Sequence, residues 1–282
     1  SAETADGHPE DAWRTLDRAL GIAPDYAPAK LNRAMVRLLL SDMPDAWEDF
    51  EARPSRGAIP NPGIAEIQEW KDESLHGKSI IIWAEQGFGD VLQFVRFLPR
   101  LKELGANVIF AATQPLQRLL RSLEGIDKFY ALDGSEPLPL VDFHLPLLSL
   151  MHRLDISEID LQANKNYITG PRIPSELWQP TNSRSIGLCW QGSPANPNDH
   201  RRSFQPDELF KRLLKFDFEL VGLQYGADDT LINNPGGCVS DFTELAAIIE
   251  QLDLVITVDT SIAHLAGAMG KRVWVMLPFA PD

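Results

Sequence analysis

The sequence has little cysteine, no long apolar run and no leader-like start. Its two cysteines, Cys189 and Cys238, are too few for a disulfide scaffold and lack the paired spacing of a zinc site. No apolar segment approaches the roughly 20 residues that a membrane-spanning helix needs. The first residues, SAETADGHPEDAW, lack the basic and apolar regions of a signal peptide. These absences predict a soluble protein in a reducing compartment, and we expect it in the cytoplasm.

Basic residues are outnumbered by acidic ones. Lys and Arg total 26 against 40 Asp and Glu, which gives a formal net charge of -14. A surface this acidic repels a phosphate backbone over most of its extent, so nucleic acid is a poor candidate partner. The 282 residues, 44% of them hydrophobic, are enough for about two globular domains with a small appendage.

Several catalytic signatures are also missing. The chain has no Asp-x-Asp pair to hold a metal against a diphosphate, no Gly-x-Ser-x-Gly motif and no phosphate-loop Lys motif. The histidines form no ligand set. We therefore expect no metal site, and hydrolase and nucleotide-triphosphatase functions are disfavoured.

An internal repeat lies at the start of the chain. The triplet Asp-Ala-Trp at 11–13 recurs at 45–47, an offset of 34 residues, and Leu16 is matched by Phe50. This is the period of a helix-turn-helix repeat, and the segment resembles tetratricopeptide (TPR) repeats. A generic helical hairpin is the alternative. Because about three stacked repeats are needed for stability, we expect this segment either to extend a longer array or to dock on the next domain.

After residue 78 the pattern changes to short β-branched or aromatic runs that alternate with helical stretches. Such alternation predicts an α/β fold with parallel sheets, and a proline-rich interruption near residues 171–180 divides it into two similar α/β halves. Two such halves place a ligand cleft at the carboxyl ends of their strands. The predicted segments are TPR-like helices at 1–54, a proline-rich linker at 55–77, a first domain at 78–172, a linker at 173–183 and a second domain at 184–282.

Glycines and an aspartate follow the first predicted strand. Gly87 and Gly89 let a ligand approach the backbone at a helix start, which favours an anion. Asp90 either accepts a proton from a bound hydroxyl or caps the following helix. A dinucleotide fingerprint would need a glycine at Leu92 and an acid after the next strand, which ends in Ala at 111–112, so a nicotinamide-dependent dehydrogenase is disfavoured.

A polar turn follows the first strand of the second half. Gly192 and Ser193 offer backbone donors, and Arg201 and Arg202 follow within ten residues. Guanidinium groups match phosphate oxygens in pairs, so this turn is a candidate diphosphate cradle. The alternative is that both arginines lie on an exposed loop without a ligand.

The strongest cluster follows the strand LVITV. Asp259, Thr260 and Ser261 stand at a strand-to-helix junction, where they cap the helix and offer hydroxyl and amide groups to a phosphate. His264 lies one turn into that helix and points to the same end. A packed structural histidine is the alternative interpretation.

These three clusters together resemble the heptosyltransferase-like glycosyltransferases of family 9, and more closely the bacterial proteins that fuse such a domain to TPR repeats. The matching segments are GFGDVLQFVRFLPRL, GLCWQGSPANPNDHRRSF and DLVITVDTSIAHLAGAMGKRVWVMLP. The resemblance implies two Rossmann-like domains in the GT-B arrangement. It also implies that the C-terminal domain mainly holds a nucleotide sugar and the N-terminal domain mainly holds the acceptor.

The resemblance implies a role for each cluster. Asp90 corresponds to the proposed general base, and Gly87 and Gly89 lie in the acceptor-side loop. The implied donor-binding residues are Gly192, Ser193, Arg201, Arg202, Asp259, Thr260, Ser261 and His264. Arg202 is favoured in place of the family's phosphate-binding lysine. The implied enzyme is an inverting, metal-independent glycosyltransferase that needs no cofactor and acts on a hydroxyl of a carbohydrate or protein acceptor.

One departure from the family supports a second hypothesis. Relatives continue beyond the segment that ends here at Asp282, so the second domain is expected to be incomplete. The alternative function is an adaptor, in which the TPR-like segment binds a protein partner and the glycosyltransferase-like part is inactive. Affinity for a nucleotide distinguishes the two hypotheses.

Overall fold

A computed structural model describes residues 7–162, 166–171, 176–181, 184–227 and 231–278. The chain divides into two compact units. Unit 1 contains the described residues of 1–86, 97–112 and 125–164, and unit 2 contains those of 87–96, 113–124 and 165–282. Each unit is built around one parallel sheet.

Unit 1 begins with three helices. They are α1 (Pro9–Ile22), α2 (Ala27–Leu39) and α3 (Met43–Phe50). Each has a proline in its first turn, where a missing N–H costs nothing and the fixed φ favours the helix. The helices α1 and α3 begin 34 residues apart, at Pro9 and Met43, which is the offset of the sequence repeat.

The repeat positions pack alike, with one exception. Ala12 and Ala46 are fully buried, and Leu16 is buried as its counterpart Phe50 is. The tryptophans differ, because Trp13 is exposed whereas Trp47 is buried and donates its indole N–H to the carbonyl of Ile156 at 2.7 Å. The pairing of helices agrees with a helix-turn-helix repeat, and the assignment to the TPR class stays a prediction.

The segment predicted as a linker, 55–77, carries ordered elements. It holds a short helix α4 (Pro62–Ala65) and the first strand β1 (Gln68–Glu69), and Ile64 and Trp70 are buried. The prolines that suggested a linker instead begin helical turns, and Asn61 caps α4 by accepting the amide of Gly63 at 2.9 Å. The domain boundaries drawn from the sequence stay predictions.

The sheet of unit 1 has five parallel strands in the order β1-β5-β2-β3-β4. The other strands are β2 (Ser79–Trp83), β3 (Asn107–Ala112), β4 (Lys128–Ala131) and β5 (Phe143–Pro146). The remaining helices of this unit are α6 (Leu98–Glu103), α8 (Leu150–Arg153) and α9 (Glu158–Gln162). The continuous apolar run of β2, with Ile80, Ile81 and Ile82 fully buried, is typical of a parallel strand covered on both faces.

The sheet of unit 2 has four parallel strands in the order β7-β6-β8-β9. They are β6 (Ser185–Cys189), β7 (Glu219–Gly222), β8 (Leu254–Val258) and β9 (Val273–Met276). The helices of the unit are α5 (Phe88–Phe94), α7 (Gln114–Leu120), α10 (Asp207–Leu213), α11 (Phe242–Ile249) and α12 (Ser261–Ala268). Parallel sheets with helices between their strands confirm the predicted α/β class.

Two helices that follow strands of the first sheet in sequence, α5 and α7, belong to unit 2. There α5 packs against α12 and α7 packs against α11. The end of α5 is held by Tyr167, whose hydroxyl donates to the carbonyl of Leu92 at 2.7 Å and whose ring lies under the Arg96 guanidinium. Burial raises the pKa of Tyr167 to about 12, so the phenol stays protonated and keeps donating.

Across the part of the chain that the structure describes, helices are too short or too polar to span a bilayer.

A buried ion pair joins the end of the helical segment to the end of β2. Arg53 and Glu85 have side chains 1% and 2% exposed, and they meet through two contacts, Nη2 to Oε1 at 2.5 Å and Nε to Oε2 at 3.0 Å. The hydroxyl of Ser149 accepts from the same guanidinium at 2.9 Å, and the amide of Leu148 donates to Glu85. Arg53 also pairs with Glu51 at 2.8 Å, whereas Arg53 is the cation that pairs with Glu85, so removing Arg53 would leave the charge of Glu85 buried without its ion-pair partner.

The substitution Arg53→Met should therefore lower the free energy of unfolding by about 3–5 kcal/mol. The matched control is Arg14→Met, which removes an exposed i,i+3 pair with Asp11 and should cost less than about 1 kcal/mol. Urea denaturation followed by circular dichroism measures both changes. Equal, small losses in the two variants would contradict a structural role for the buried pair.

Candidate functional site

The candidate site lies in unit 2, where the starts of α5 and α12 meet. The cap of α12 is Thr260, whose hydroxyl accepts the amide of Ile262 at 3.3 Å and lies 3.4 Å from the hydroxyl of Thr257. Asp259 precedes this cap and is buried, and Ser261 opens the helix. The cluster predicted from Asp259, Thr260 and Ser261 is thus a helix start with a carboxylate beside it.

Gly89 allows the two helix starts to approach each other. A Cβ atom added to Gly89 would lie 2.8 Å from Cδ2 and 3.3 Å from Nε2 of His264, and 3.6 Å from Cα of Ser261. Only a residue without a side chain permits this approach. The sequence analysis assigned Gly89 to a ligand's approach to the backbone, whereas the structure shows the approach of one helix to another.

His264 lies within electrostatic range of two carboxylates. Burial lowers the pKa of His264, and the negative charges of Asp259 and Asp90 oppose that shift without reversing it. The imidazole is therefore neutral near pH 7, with one nitrogen that donates and one that accepts a hydrogen bond. The fold thus brings Asp90 and Asp259, which are far apart in the sequence, close enough for both charges to act on His264.

The N-cap of α5 is Gly87 rather than Asp90, and Asp90, the third residue of the helix, reaches back to this cap. Its Oδ2 accepts the amide of Gly87 at 2.9 Å, within the first turn of α5. This bond orients the carboxylate and occupies one acceptor position. An ionised carboxylate has about four lone-pair positions, so the cap and proton acceptance from a hydroxyl are compatible.

The turn after β6 is closed by its own hydrogen bonds. The amides of Trp190 and Gln191 donate to Oε1 of Gln224 at 3.2 and 2.9 Å, and the amide of Gly192 donates to the hydroxyl of Ser203 at 2.9 Å. Of the two residues whose backbone donors the sequence offered to a diphosphate, Gly192 thus uses its amide within the turn. These internal bonds make the turn rigid.

The two arginines of this turn lie in different surroundings. The Nε atom of Arg202 pairs with Oδ1 of Asp199 at 3.2 Å, and the side chain is largely buried, whereas Arg201 is exposed. Asp199 also accepts the hydroxyl of Ser203 at 2.6 Å. A Cβ atom on Gly192 would lie 2.2 Å from Asp199 Oδ1, so glycine is required for this packing as well.

Gln224 and Asn234 were not singled out from the sequence, whereas Asp199 belongs to the predicted polar turn and its structural role was not foreseen. Gln224 is buried just after β7, and the side chain of Asn234 forms two hydrogen bonds to its backbone. The backbone amide of Gln224 donates to Asn234 Oδ1 at 3.1 Å, and Asn234 Nδ2 donates to the Gln224 carbonyl at 2.8 Å. Asp199 organises the turn after β6. A polar residue directly after a predicted strand was the available signal for Gln224, whereas the partners of Asn234 and Asp199 depend on the fold.

Among the described residues, no three His, Cys, Asp or Glu side chains converge in a group that could hold a metal ion. Cys189, at the end of β6, lies beside the hydroxyls of Thr257 and Thr260, and burial raises the pKa of its thiol. It is therefore a protonated packing residue that links the end of β6 to the start of α12.

Comparison with a protein family and with a curated protein gives two matches. The family model Glycosyltransferase family 9 (heptosyltransferase) matches residues 240–275, which include Asp259, Thr260, Ser261 and His264. Protein FlbA of Caulobacter vibrioides is 25% identical over 300 residues, which cover 92% of this chain and 49% of that protein. The chain thus spans about half the length of the curated relative that it matches.

Comparison with solved structures finds the same fold. The glycosyl transferase family 9 from Veillonella parvula DSM 2008 superposes with a TM-score of 0.50 at 13% identity, over 72% of this chain and 81% of that chain. The dodecameric iron-containing heptosyltransferase TibC, in complex with ADP-D-beta-D-heptose, gives 0.54 at 12% identity, over 73% and 60%. TibC has also been solved from enterotoxigenic E. coli H10407. The chain therefore has the α/β fold of these family 9 structures.

Replacing Gly89 and Gly267 by alanine should change the free energy of unfolding in opposite directions. Gly89→Ala should destabilise the protein by about 1–3 kcal/mol because the new methyl group overlaps His264. Gly267→Ala, in α12 with nothing within 4 Å of the added Cβ, should instead stabilise it by about 0.5–1 kcal/mol. Urea denaturation measures both.

A double variant, Gly89→Ala with His264→Ala, separates overlap from a general loss of helix structure. Removing the imidazole makes room for the methyl group, so part of the loss should be recovered relative to the sum of the single variants. Strict additivity of the two losses would contradict the contact.

Proposed function

We propose that this chain is a metal-independent, inverting glycosyltransferase that moves a sugar from a nucleotide-diphosphate sugar to a hydroxyl group of a carbohydrate or protein acceptor. The observation that carries the proposal is the close approach of the starts of α5 and α12 at Gly89, which puts His264 within electrostatic range of Asp90 and Asp259. The family 9 match over residues 240–275 supports it, because the match includes the start of α12. The shared fold of the solved family 9 enzymes supports it independently of that short segment.

The donor diphosphate is proposed to bind at the start of α12. The first amides of a helix and its macrodipole favour an anion, and Thr260 fixes the direction in which this helix begins. Arg202 is the proposed second phosphate contact. Its Nε bond to Asp199 fixes the guanidinium plane, which sets the direction of the terminal nitrogens. Arg201, exposed beside it, adds positive charge to an otherwise acidic surface.

Asp90 is the proposed general base. An acceptor hydroxyl loses its proton to the Asp90 carboxylate while its oxygen forms a bond to the anomeric carbon of the donor sugar. The bond from that carbon to the diphosphate breaks on the opposite face, which inverts the anomeric centre. The charge on the departing nucleoside diphosphate is stabilised by the start of α12 and by Arg202. Neutral His264 donates a hydrogen bond to a phosphate or sugar oxygen without adding a charge.

The adaptor hypothesis is less well supported. The family 9 model matches residues 240–275 of the α/β part, and in that part Gly89 lets the start of α5 pack against His264. We propose that the N-terminal helices form TPR-like repeats that contact a protein partner or a protein acceptor beside an active enzyme. The two-domain GT-B arrangement is part of the same proposal.

Calorimetric titration with ADP, GDP, UDP, CDP and dTDP in the presence of EDTA tests the proposal. One nucleotide should bind. Asp259→Asn should lower the affinity for it by about tenfold or more, because altering a buried hydrogen-bonding group typically costs over about 1 kcal/mol. Asp217→Asn, which removes an exposed carboxylate of the same unit, is the matched control and should bind as the parent does.

The same variants separate binding from chemistry. Asp90→Asn keeps a helix-capping oxygen and should retain nucleotide affinity. It should slow release of the nucleoside diphosphate from its nucleotide sugar by about 100-fold or more. If none of the five nucleotides binds, the proposed function is contradicted and the adaptor hypothesis is favoured.

A further inference from the structure

Phe88 is an exposed aromatic residue at the start of α5. It stands between Gly87 and Gly89, and 40% of its surface is accessible. Its ring is nonetheless fixed, because it packs edge-to-face on Phe242 of α11 with centroids 4.9 Å apart and an interplanar angle of 61°. Such a contact restricts the ring while 40% of the residue stays accessible. The unit therefore holds an apolar surface in a set orientation beside the proposed site.

Polar residues neighbour this aromatic pair along the chain. Asp90 is two residues beyond Phe88, and Gly89 between them lies against His264. In α11, Asp241 precedes Phe242, caps the helix and pairs with Arg118 at 3.3 Å. The exposed ring of Phe88 thus belongs to a helix start that carries a carboxylate and contacts an imidazole.

We propose that Phe88, held by Phe242, is the surface on which the transferred sugar of the donor stacks. This inference rests on the proposed function and names a subsite within it. A pyranose ring presents C–H groups on its face and hydroxyl groups at its edge, which matches an aromatic face with polar neighbours. Stacking removes the apolar face of the sugar ring from water, which adds to the binding free energy. Hydrogen bonds to the sugar hydroxyl groups do not make this contribution.

The position of the diphosphate makes the donor sugar the occupant. A diphosphate at the start of α12 lies beside Ser261 and His264, and these two residues border Gly89. A sugar attached to that diphosphate extends toward the start of α5, where Phe88 and Asp90 are. Stacking on Phe88 would orient the anomeric carbon for attack by the hydroxyl that Asp90 deprotonates.

The test compares two ligands rather than one. The nucleoside diphosphate that binds in the five-nucleotide titration is paired with its sugar conjugate, chosen from ADP-glucose, GDP-mannose, UDP-glucose, CDP-glucose and dTDP-glucose. Phe88→Ala should lower the affinity for the sugar conjugate by about tenfold and the affinity for the bare nucleoside diphosphate by less than about twofold. Phe88→Tyr keeps the aromatic face and should retain the parent's ratio of the two affinities.

A second exposed aromatic provides the control. Phe216 is 63% exposed and stacks on Phe218 in the same unit, so Phe216→Ala removes a comparable ring away from α5. It should leave both affinities unchanged. An unaltered ratio in Phe88→Ala, or an equal loss for both ligands, would overturn the sugar subsite while leaving the proposed function intact. A parent protein that binds no nucleotide would overturn both, and the two failures are thus distinguishable.

Discussion

The approach of α5 to α12 at Gly89 is the constraint on which the site depends. Because residue 89 has no side chain, the imidazole of His264 packs directly against the backbone at the start of α5. That packing buries His264, lowers its pKa and brings it within electrostatic range of both Asp90 and Asp259. A bulkier residue would separate the two helix starts, and with them the proposed base and the proposed donor-binding residues.

Around this contact, the loops of unit 2 differ in how they use their polar groups. In the turn after β6, backbone amides donate hydrogen bonds to the side chains of Gln224 and Ser203, and Arg202 pairs with Asp199. A turn whose amides are bonded within it is stiff. At the start of α12, the Thr260 hydroxyl accepts the amide of Ile262, and the positive end of the helix dipole favours an anion. We therefore propose α12 as the anion-binding element.

The sequence predicted the α/β class and its parallel sheets, because buried parallel strands such as Ser79–Trp83 appear as continuous apolar runs. It also singled out Asp90, Asp259 and His264, although nothing in their spacing showed that they meet. Contacts between residues far apart in the chain could not be predicted from the sequence. Arg53 meets Glu85, and Gln224 meets the turn after β6, only because the fold brings them together. The prolines between 54 and 62 suggested a linker, yet a proline in the first turn of a helix stabilises it. The subsite at Phe88 was missed because an isolated aromatic carries no pattern.

The proposed function requires a nucleotide sugar to bind at the start of α12. Amide hydrogen exchange measured with and without the nucleotide sugar reports both whether the ligand binds and where it binds. We expect slower exchange across residues 259–264 and 87–90, with α1 and α2 unchanged. A nucleotide sugar that binds but leaves residues 259–264 unprotected, or that protects only the N-terminal helices, would contradict binding at this site.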